Sequence, residues 1–302
     1  MGGSMNAIEI RDLSKNFGEK MAVNGLNMTV PVGAIYGFIG ENGSGKSTTE
    51  KLICGLIHKT SGEIKLFGRD YTDGAVRSKI GVLIESPGCY PSYSVWNNLI
   101  LHATNLGLAS PAEEVRKVLK IVRMEGSASN KFKNCSLGMK QRIGIAMALL
   151  GSPSLLVLDE PINGLDADGM RIMREVLIDI TKNYNCTVVI SSHILGELEK
   201  IATHYGIIRN GKMIREMTSE QLNDDCPTFV SLTAKDMEKA KKVLSRKYAR
   251  VEVENENIRV YDAKSPEEIV CYLYEEGIIV TEIKTDKIGL EEYYIDLMKG
   301  GK

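Results

Sequence analysis

The chain has no apolar run of about 18 residues or more, so no helix of ordinary length is expected to cross a bilayer. No secretory segment is expected near its start, and residues 1–4 (Met-Gly-Gly-Ser) read as an expression scar. An excess of charge is also missing. The 38 Lys and Arg against 39 Asp and Glu leave a formal net charge of −1, which gives no global field to recruit nucleic acid or an anionic membrane. No Cys-x-x-C pair occurs. The six cysteines (Cys54, Cys89, Cys135, Cys186, Cys226, Cys271) stand far apart, as expected of reduced structural thiols in the cytoplasm. What is there, 43% hydrophobic and 25% charged residues over 302 positions, suits one large globular domain or two.

The most informative stretch is residues 34–48, AIYGFIGENGSGKST. It reads as a buried strand, a glycine-rich turn and a helix start at Lys46. Gly40, Gly45, Lys46 and Ser47 satisfy G-x-x-x-x-G-K-[ST], the phosphate-binding P-loop pattern. Glycine lets the backbone take positive φ and turn its N–H groups onto phosphates. Lys46 supplies a point charge to the β- and γ-phosphates, and Ser47 a hydroxyl to Mg2+. Asn42, Gly43, Ser44 and Thr48 complete the expected nucleotide-binding set, with the positive end of the following helix behind them.

Along the rest of the chain, residues 8–13 and 26–30 read as short strands, with residues 13–20 (LSKNFGEK) as the turn between them. Phe17 in that turn is either a core aromatic at a strand end or a ring free to stack on a nucleotide base. Residues 80–85 read as a buried strand ending on Glu85. A loop with Pro87, Gly88, Tyr90 and Pro91 follows. Residues 95–107 and 111–124 read as helices, the second with Ser110 as its cap and Pro111 at its first position, forming a helical insertion over 95–150. A second loop-to-helix junction starts at Cys135, with Ser136 as cap and Gly138 allowing close approach. Residues 155–158 form a continuous apolar strand whose carboxyl end carries Asp159 and Glu160, where ligands bind in open α/β sheets. Another strand, 187–193, ends on His193, and Asn210-Gly211 signals a hairpin. After a break near residues 225–228 the order β-α-β-β-α-β plus a final helix predicts a small ferredoxin-like α+β unit over 228–302. The expected fold is therefore α/β: a P-loop ATPase sheet with an antiparallel β subdomain and a helical insertion (5–224), plus that small C-terminal domain.

Taken together, residues 8–220 resemble the ATP-binding subunit of an ABC transporter. The Walker A motif is 40–48, the signature 136–142, Walker B 155–160, the D-loop 164–166 and the switch histidine His193, in the family's order. The resemblance implies ATP and Mg2+ as cofactors. It makes Phe17 the adenine-stacking aromatic, Asp159 the Mg2+-orienting carboxylate and Glu160 the general base. His193 becomes the residue that contacts the γ-phosphate and holds the water, and Ser136 and Gly138 bind the nucleotide of a second cassette. Two departures stand out. Glu85 replaces the family's usual glutamine, where a carboxylate either ligates Mg2+ more strongly or repels the γ-phosphate. The signature reads CSLGM rather than LSGGQ. Glu85 followed by SPGCYPSYSVWNNL resembles the bacitracin and lantibiotic immunity exporters. The implied partners are a second cassette, identical or closely related, and an integral membrane permease that holds the protein on the inner face of the membrane. No nucleic-acid partner is expected; a soluble ATPase working without a permease is the alternative.

Overall fold

The structure is a computed structural model; it describes residues 5–254, 256–261, 263 and 265–299. The expected scar at residues 1–4 lies outside them. The chain divides into two compact units, Met1–Ser219 and Glu220–Lys302. The division falls before the break expected at 225–228, because the helix Ser219–Asp225 largely goes with the second unit.

The first unit is built on a six-stranded sheet in the order Lys212–Thr218, His204–Arg209, Ile35–Ile39, Thr187–Ser192, Leu155–Asp159, Ile80–Leu83. All pairings are parallel except the first, a hairpin whose turn residues Asn210 and Gly211 both take positive φ. Strands covered on both faces are buried along their whole length and largely apolar. Ile35–Ile39 and Thr187–Ser192 are accordingly buried at every position. Pairing of Ile39 with Ser192 and of Asp159 with Ser191 brings Gly40, Asp159 and His193 to one edge, the carboxyl ends of the strands.

A second, antiparallel sheet has the order Lys20–Pro31, Asn6–Phe17, Ser61–Leu66, Arg69–Asp70. Its first two strands are 12 residues each, longer than the sequence suggested, and the turn shrinks to Gly18 and Glu19. Bulges explain the difference. The register shifts repeatedly between residues 6 and 17, and Asp12 takes φ 48°, so the two-residue alternation that marks a strand is broken. Phe17 consequently lies at the hairpin tip, 51% exposed, rather than in the core. The core joins this sheet to the first through Ile8, Leu26 and Ile64 packed with Tyr36, Phe38, Leu52 and Val157.

The helical section comprises Val95–Asn105, Pro111–Ile121 and Leu137–Leu149. Ser94 caps the first by accepting from Asn97 N. Ser110 occupies the cap position of the second but makes no side-chain cap bond, contrary to expectation; its backbone (φ −128°, ψ 69°) departs from the extended conformation a cap adopts. Buried Asn98 accepts from Tyr90 N at 2.7 Å and donates to Tyr90 O at 3.1 Å, pinning the loop that follows Glu85.

The second unit is an antiparallel sheet in the order Val251–Glu254, Asn257–Val260, Thr228–Ala234, Val280–Lys287. Helices Met237–Lys247 and Pro266–Glu275 pack on it through Ala240, Leu244, Ile269 and Leu273. Strand order and helix placement are those of the split βαβ unit.

Candidate nucleotide site

Residues 40–48 leave strand Ile35–Ile39 and enter helix Lys46–Ile53. Gly45 takes φ +112°, and a Cβ there would stand 2.7 Å from Ala22 O, so conformation and space both require glycine. Gly43 takes φ +79° with open space around it, and a Cβ on Gly40 would meet Ser44 Oγ at 2.5 Å. The helix opens without a side-chain cap and without an acidic residue in its first turn, which leaves its N–H groups and positive end available to an anion. Lys46 is folded over the loop, donating to Gly40 O at 2.7 Å and Glu41 O at 3.2 Å. Ser44 Oγ is buried with no partner. A glycine cradle, an orphaned hydroxyl and a cation resting on carbonyls fit a phosphate chain. Ser47 and Asn42 are exposed and Thr48 half-buried, so all three can face a ligand.

At the adjacent strand ends, Ser191 Oγ donates to Asp159 Oδ1 at 2.8 Å and accepts from Glu160 N at 3.1 Å. Glu160 takes φ 47°, uncommon for a residue with a side chain and typical of functional sites. Its Oε2 lies 2.9 Å from His193 Nδ1 and 3.1 Å from Asn163 Nδ2. The Glu160 carboxylate and His193 imidazole thus form a hydrogen-bonded pair, with Asn163 as a second donor. Ser47 and Asp159 offer the hard oxygen donors that Mg2+ prefers. Among the described residues no group of three or more His, Cys, Asp or Glu is clustered as a metal cage, and an ion bound here would complete its shell with phosphate and water.

Glu85 stands in the segment leaving strand Ile80–Leu83. It takes φ 68°, and its Oε1 lies 2.9 Å from Lys51 Nζ on the phosphate-binding helix. Phe17 is exposed, with Lys15 Nζ over its ring, 4.8 Å from the centroid.

Sequence reasoning did not single out Lys51, Asn163, Ser191 or Glu50. Glu50 is fully buried one turn beyond Lys46; neither carboxylate oxygen has a hydrogen bond of ordinary geometry, although Ser191 and Asp159 are its polar neighbours. Burial, then the charge of Asp159, raises its pKa well above the carboxylate range. The signal that would have found it is spacing: i and i+4 on a helix share a face.

The signature lies at a separate place. Ser136 caps helix Leu137–Leu149 by accepting from Met139 N at 3.3 Å. Asp166 caps helix Ala167–Tyr184, accepting from Gly169 N at 2.8 Å. The two helix starts share a cavity of about 330 Å³ lined by Ser136, Gly138, Arg142, Gly164 and Asp166 among others; none of the described residues 40–48 lines it. A Cβ on Gly138 would meet Leu165 only at ordinary contact, 3.6 Å, so packing within this chain does not demand glycine.

A P-loop strand, paired acidic residues at the neighbouring strand end and a histidine on the next strand define a P-loop nucleotide hydrolase. The sequence pattern of the ABC transporter family matches residues 23–163. The chain is 37% identical over 300 residues to the bacitracin transport ATP-binding protein BcrA of Bacillus licheniformis, covering 97% of this chain and 98% of that one. It is 42% identical over 209 residues to the lantibiotic transport ATP-binding protein SrtF of Streptococcus pyogenes, covering 69% and 90%. Its fold is that of a dimeric ATP-binding cassette solved in a post-hydrolysis state with ADP and Pi (TM-score 0.64, 23% identity, 70% of this chain and 98% of that one). The chain belongs to the ABC transporter ATP-binding family and is an ATP-hydrolysing transporter subunit. Among the described residues no helix is long and apolar enough to cross a membrane.

Proposed function

We propose that this subunit works as a pair of cassettes beneath a separate permease, on the inner face of the membrane, and powers export of an antimicrobial peptide of the bacitracin or lantibiotic type. The carrying observation is the match to a bacitracin transport protein along nearly the full length of both chains, second unit included. Lys46 and the N–H groups of residues 40–48 bind the triphosphate, and Phe17 stacks on the base. Ser47 and Asp159 would hold Mg2+, which would supply charge neutralisation for the phosphates. Glu160 accepts the proton of the attacking water, and His193 keeps the Glu160 carboxylate and the γ-phosphate in line. Ser136 and Gly138 line a cavity that residues 40–48 of their own chain do not reach, which supports their serving the nucleotide of a second cassette.

Cells lacking the chain are expected to become more sensitive to such peptides, with resistance restored by the wild type and not by Glu160→Gln. Unchanged sensitivity, with the protein sedimenting alongside ribosomes rather than membranes, would favour the permease-free reading.

Tyr90 and Tyr93 are exposed, their tilted rings 5.2 Å apart on the loop between Glu85 and helix Val95–Asn105, a surface suited to the permease. Trp96 is half-buried with Arg116 5.6 Å from its ring centroid and contributes less. Tyr93→Ala is expected to lower peptide resistance about two- to tenfold while the ATPase rate of the isolated protein stays unchanged, since truncating one interface aromatic typically costs about 1 kcal/mol or more. Full resistance at normal protein level would remove Tyr93 from the interface.

A further inference from the structure

We infer that Asn163 is a positioning residue for Glu160: together with His193 it occupies one oxygen of the carboxylate, Oε2, and leaves Oε1 as the oxygen that takes the proton of water. The inference deepens the proposal above and rests on Glu160 being the base.

Three observations carry it. The first is that two donors meet one atom. Asn163 Nδ2 lies 3.1 Å and His193 Nδ1 2.9 Å from Glu160 Oε2. A carboxylate oxygen offers about two lone-pair sites. The two N–H groups therefore saturate Oε2, and among the described residues no donor bonds Oε1. The second is the backbone of Glu160, which is held on both sides. Its N donates to Ser191 O at 3.2 Å and to Ser191 Oγ at 3.1 Å, and its carbonyl accepts from Asn163 N at 3.1 Å. These bonds keep it at φ 47°, a conformation disfavoured for a side-chain residue and more so before Pro161. The third is the turn itself. Pro161 and Ile162 are buried and anchor residues 160–163, whereas Asn163 is exposed. Its side-chain amide makes no other hydrogen bond among the described residues.

With the backbone fixed, the freedom left to Glu160 is that of its side chain, whose last torsion is broad. One donor would let the carboxylate swivel about a single contact. Two donors from different elements, the turn and the end of strand Thr187–Ser192, remove the swivel. A general base must keep an oxygen within hydrogen-bond reach of the proton it takes. If Asn163 served only the turn, aspartate would do as well, since both residues favour turns. If it serves as a donor, aspartate fails: a carboxylate has no N–H and sets a like charge against Glu160.

Phosphate release by the full chain is measured over a range of ATP concentrations for the wild type, Asn163→Ala, Asn163→Asp, Asn163→Gln, Glu160→Gln, and Asn163→Ala combined with Glu160→Gln. Thermal melting of each variant monitors folding. Asn163→Ala is expected to lower kcat about five- to twentyfold, the worth of one hydrogen bond to a charged group, with KM changed less than about twofold. Asn163→Asp should lose at least as much. Asn163→Gln keeps an amide N–H on a longer stem at an exposed site and should recover most of the loss. With Glu160→Gln already present, Asn163→Ala should alter the residual rate less than about twofold, because no carboxylate is left to position. Wild-type kcat in Asn163→Asp, a loss confined to KM, or equal losses in both backgrounds would overturn the positioning role. If Glu160→Gln retains more than about a tenth of wild-type turnover, Glu160 is not the base, and the inference falls with that reading. If Glu160→Gln collapses while the Asn163 variants hydrolyse ATP as the wild type does, the role of Asn163 alone is removed.

Discussion

Replacing Glu160 with glutamine is expected to lower ATP hydrolysis by about a hundred- to ten-thousandfold while ATP still binds. Glutamine keeps the shape of the side chain and can still meet Asn163 and His193, but it has no carboxylate to take the proton of water. The phosphate cradle (Gly40, Gly45, Lys46) follows a different strand, Ile35–Ile39, and does not depend on that charge. Binding and hydrolysis should therefore separate cleanly. Phosphate release under saturating ATP, beside equilibrium ATP binding, checks both. A loss of less than about tenfold would move the base elsewhere, and a parallel loss of binding would mean that the substitution disturbs the loop rather than the proton transfer.

The second large effect concerns stability. Glu50 is fully buried with no ordinary hydrogen bond, and its pKa is raised well above 4.5, first by burial and then by Asp159. A carboxyl whose folded pKa is raised supports the fold fully below its unfolded value and loses that support as pH rises towards the folded one. Without nucleotide and with EDTA present, the wild type should lose stability relative to Glu50→Gln, which carries no charge there, as pH rises above the ordinary carboxylate range. Melting both proteins from pH 5 to pH 8 should show the glutamine variant gaining on the wild type as pH increases. A constant difference, or one that narrows with pH, would contradict the cost assigned to Glu50.

Much of the fold was legible because the parallel strands announce themselves. Runs such as residues 155–158 are apolar throughout, and the P-loop fixes a strand, a turn and a helix at once. The six-stranded sheet then brings the strand ends that carry Asp159, Glu160 and His193 to the same edge as the phosphate loop. The long hairpin Asn6–Phe17 with Lys20–Pro31 was read as too short because bulges scramble its alternation. Phe17 could not be assigned from spacing, since a hairpin tip and a core end look alike when strand length is misjudged. Lys51 and Glu50 were passed over for a different reason. Each belongs to the helix that the motif already explained, and each acquires meaning from a partner on another strand or loop, Glu85 and Asp159, that only the folded chain brings near. Ser110 shows the converse: a favourable cap sequence whose backbone does not adopt the geometry that a cap bond needs.

In the function proposed above, a second cassette completes the site through Ser136 and Gly138. The most direct measurement is the molar mass of the Glu160→Gln protein in solution, by gel filtration with light scattering, without nucleotide and with ATP and Mg2+. Hydrolysis is slowed in this variant, so a closed pair should accumulate. The mass of one chain is expected without nucleotide and of two with it, with a return to one when Ser136 is also changed to a bulky residue such as phenylalanine. A single-chain mass at saturating ATP, with ATP demonstrably bound, would contradict it.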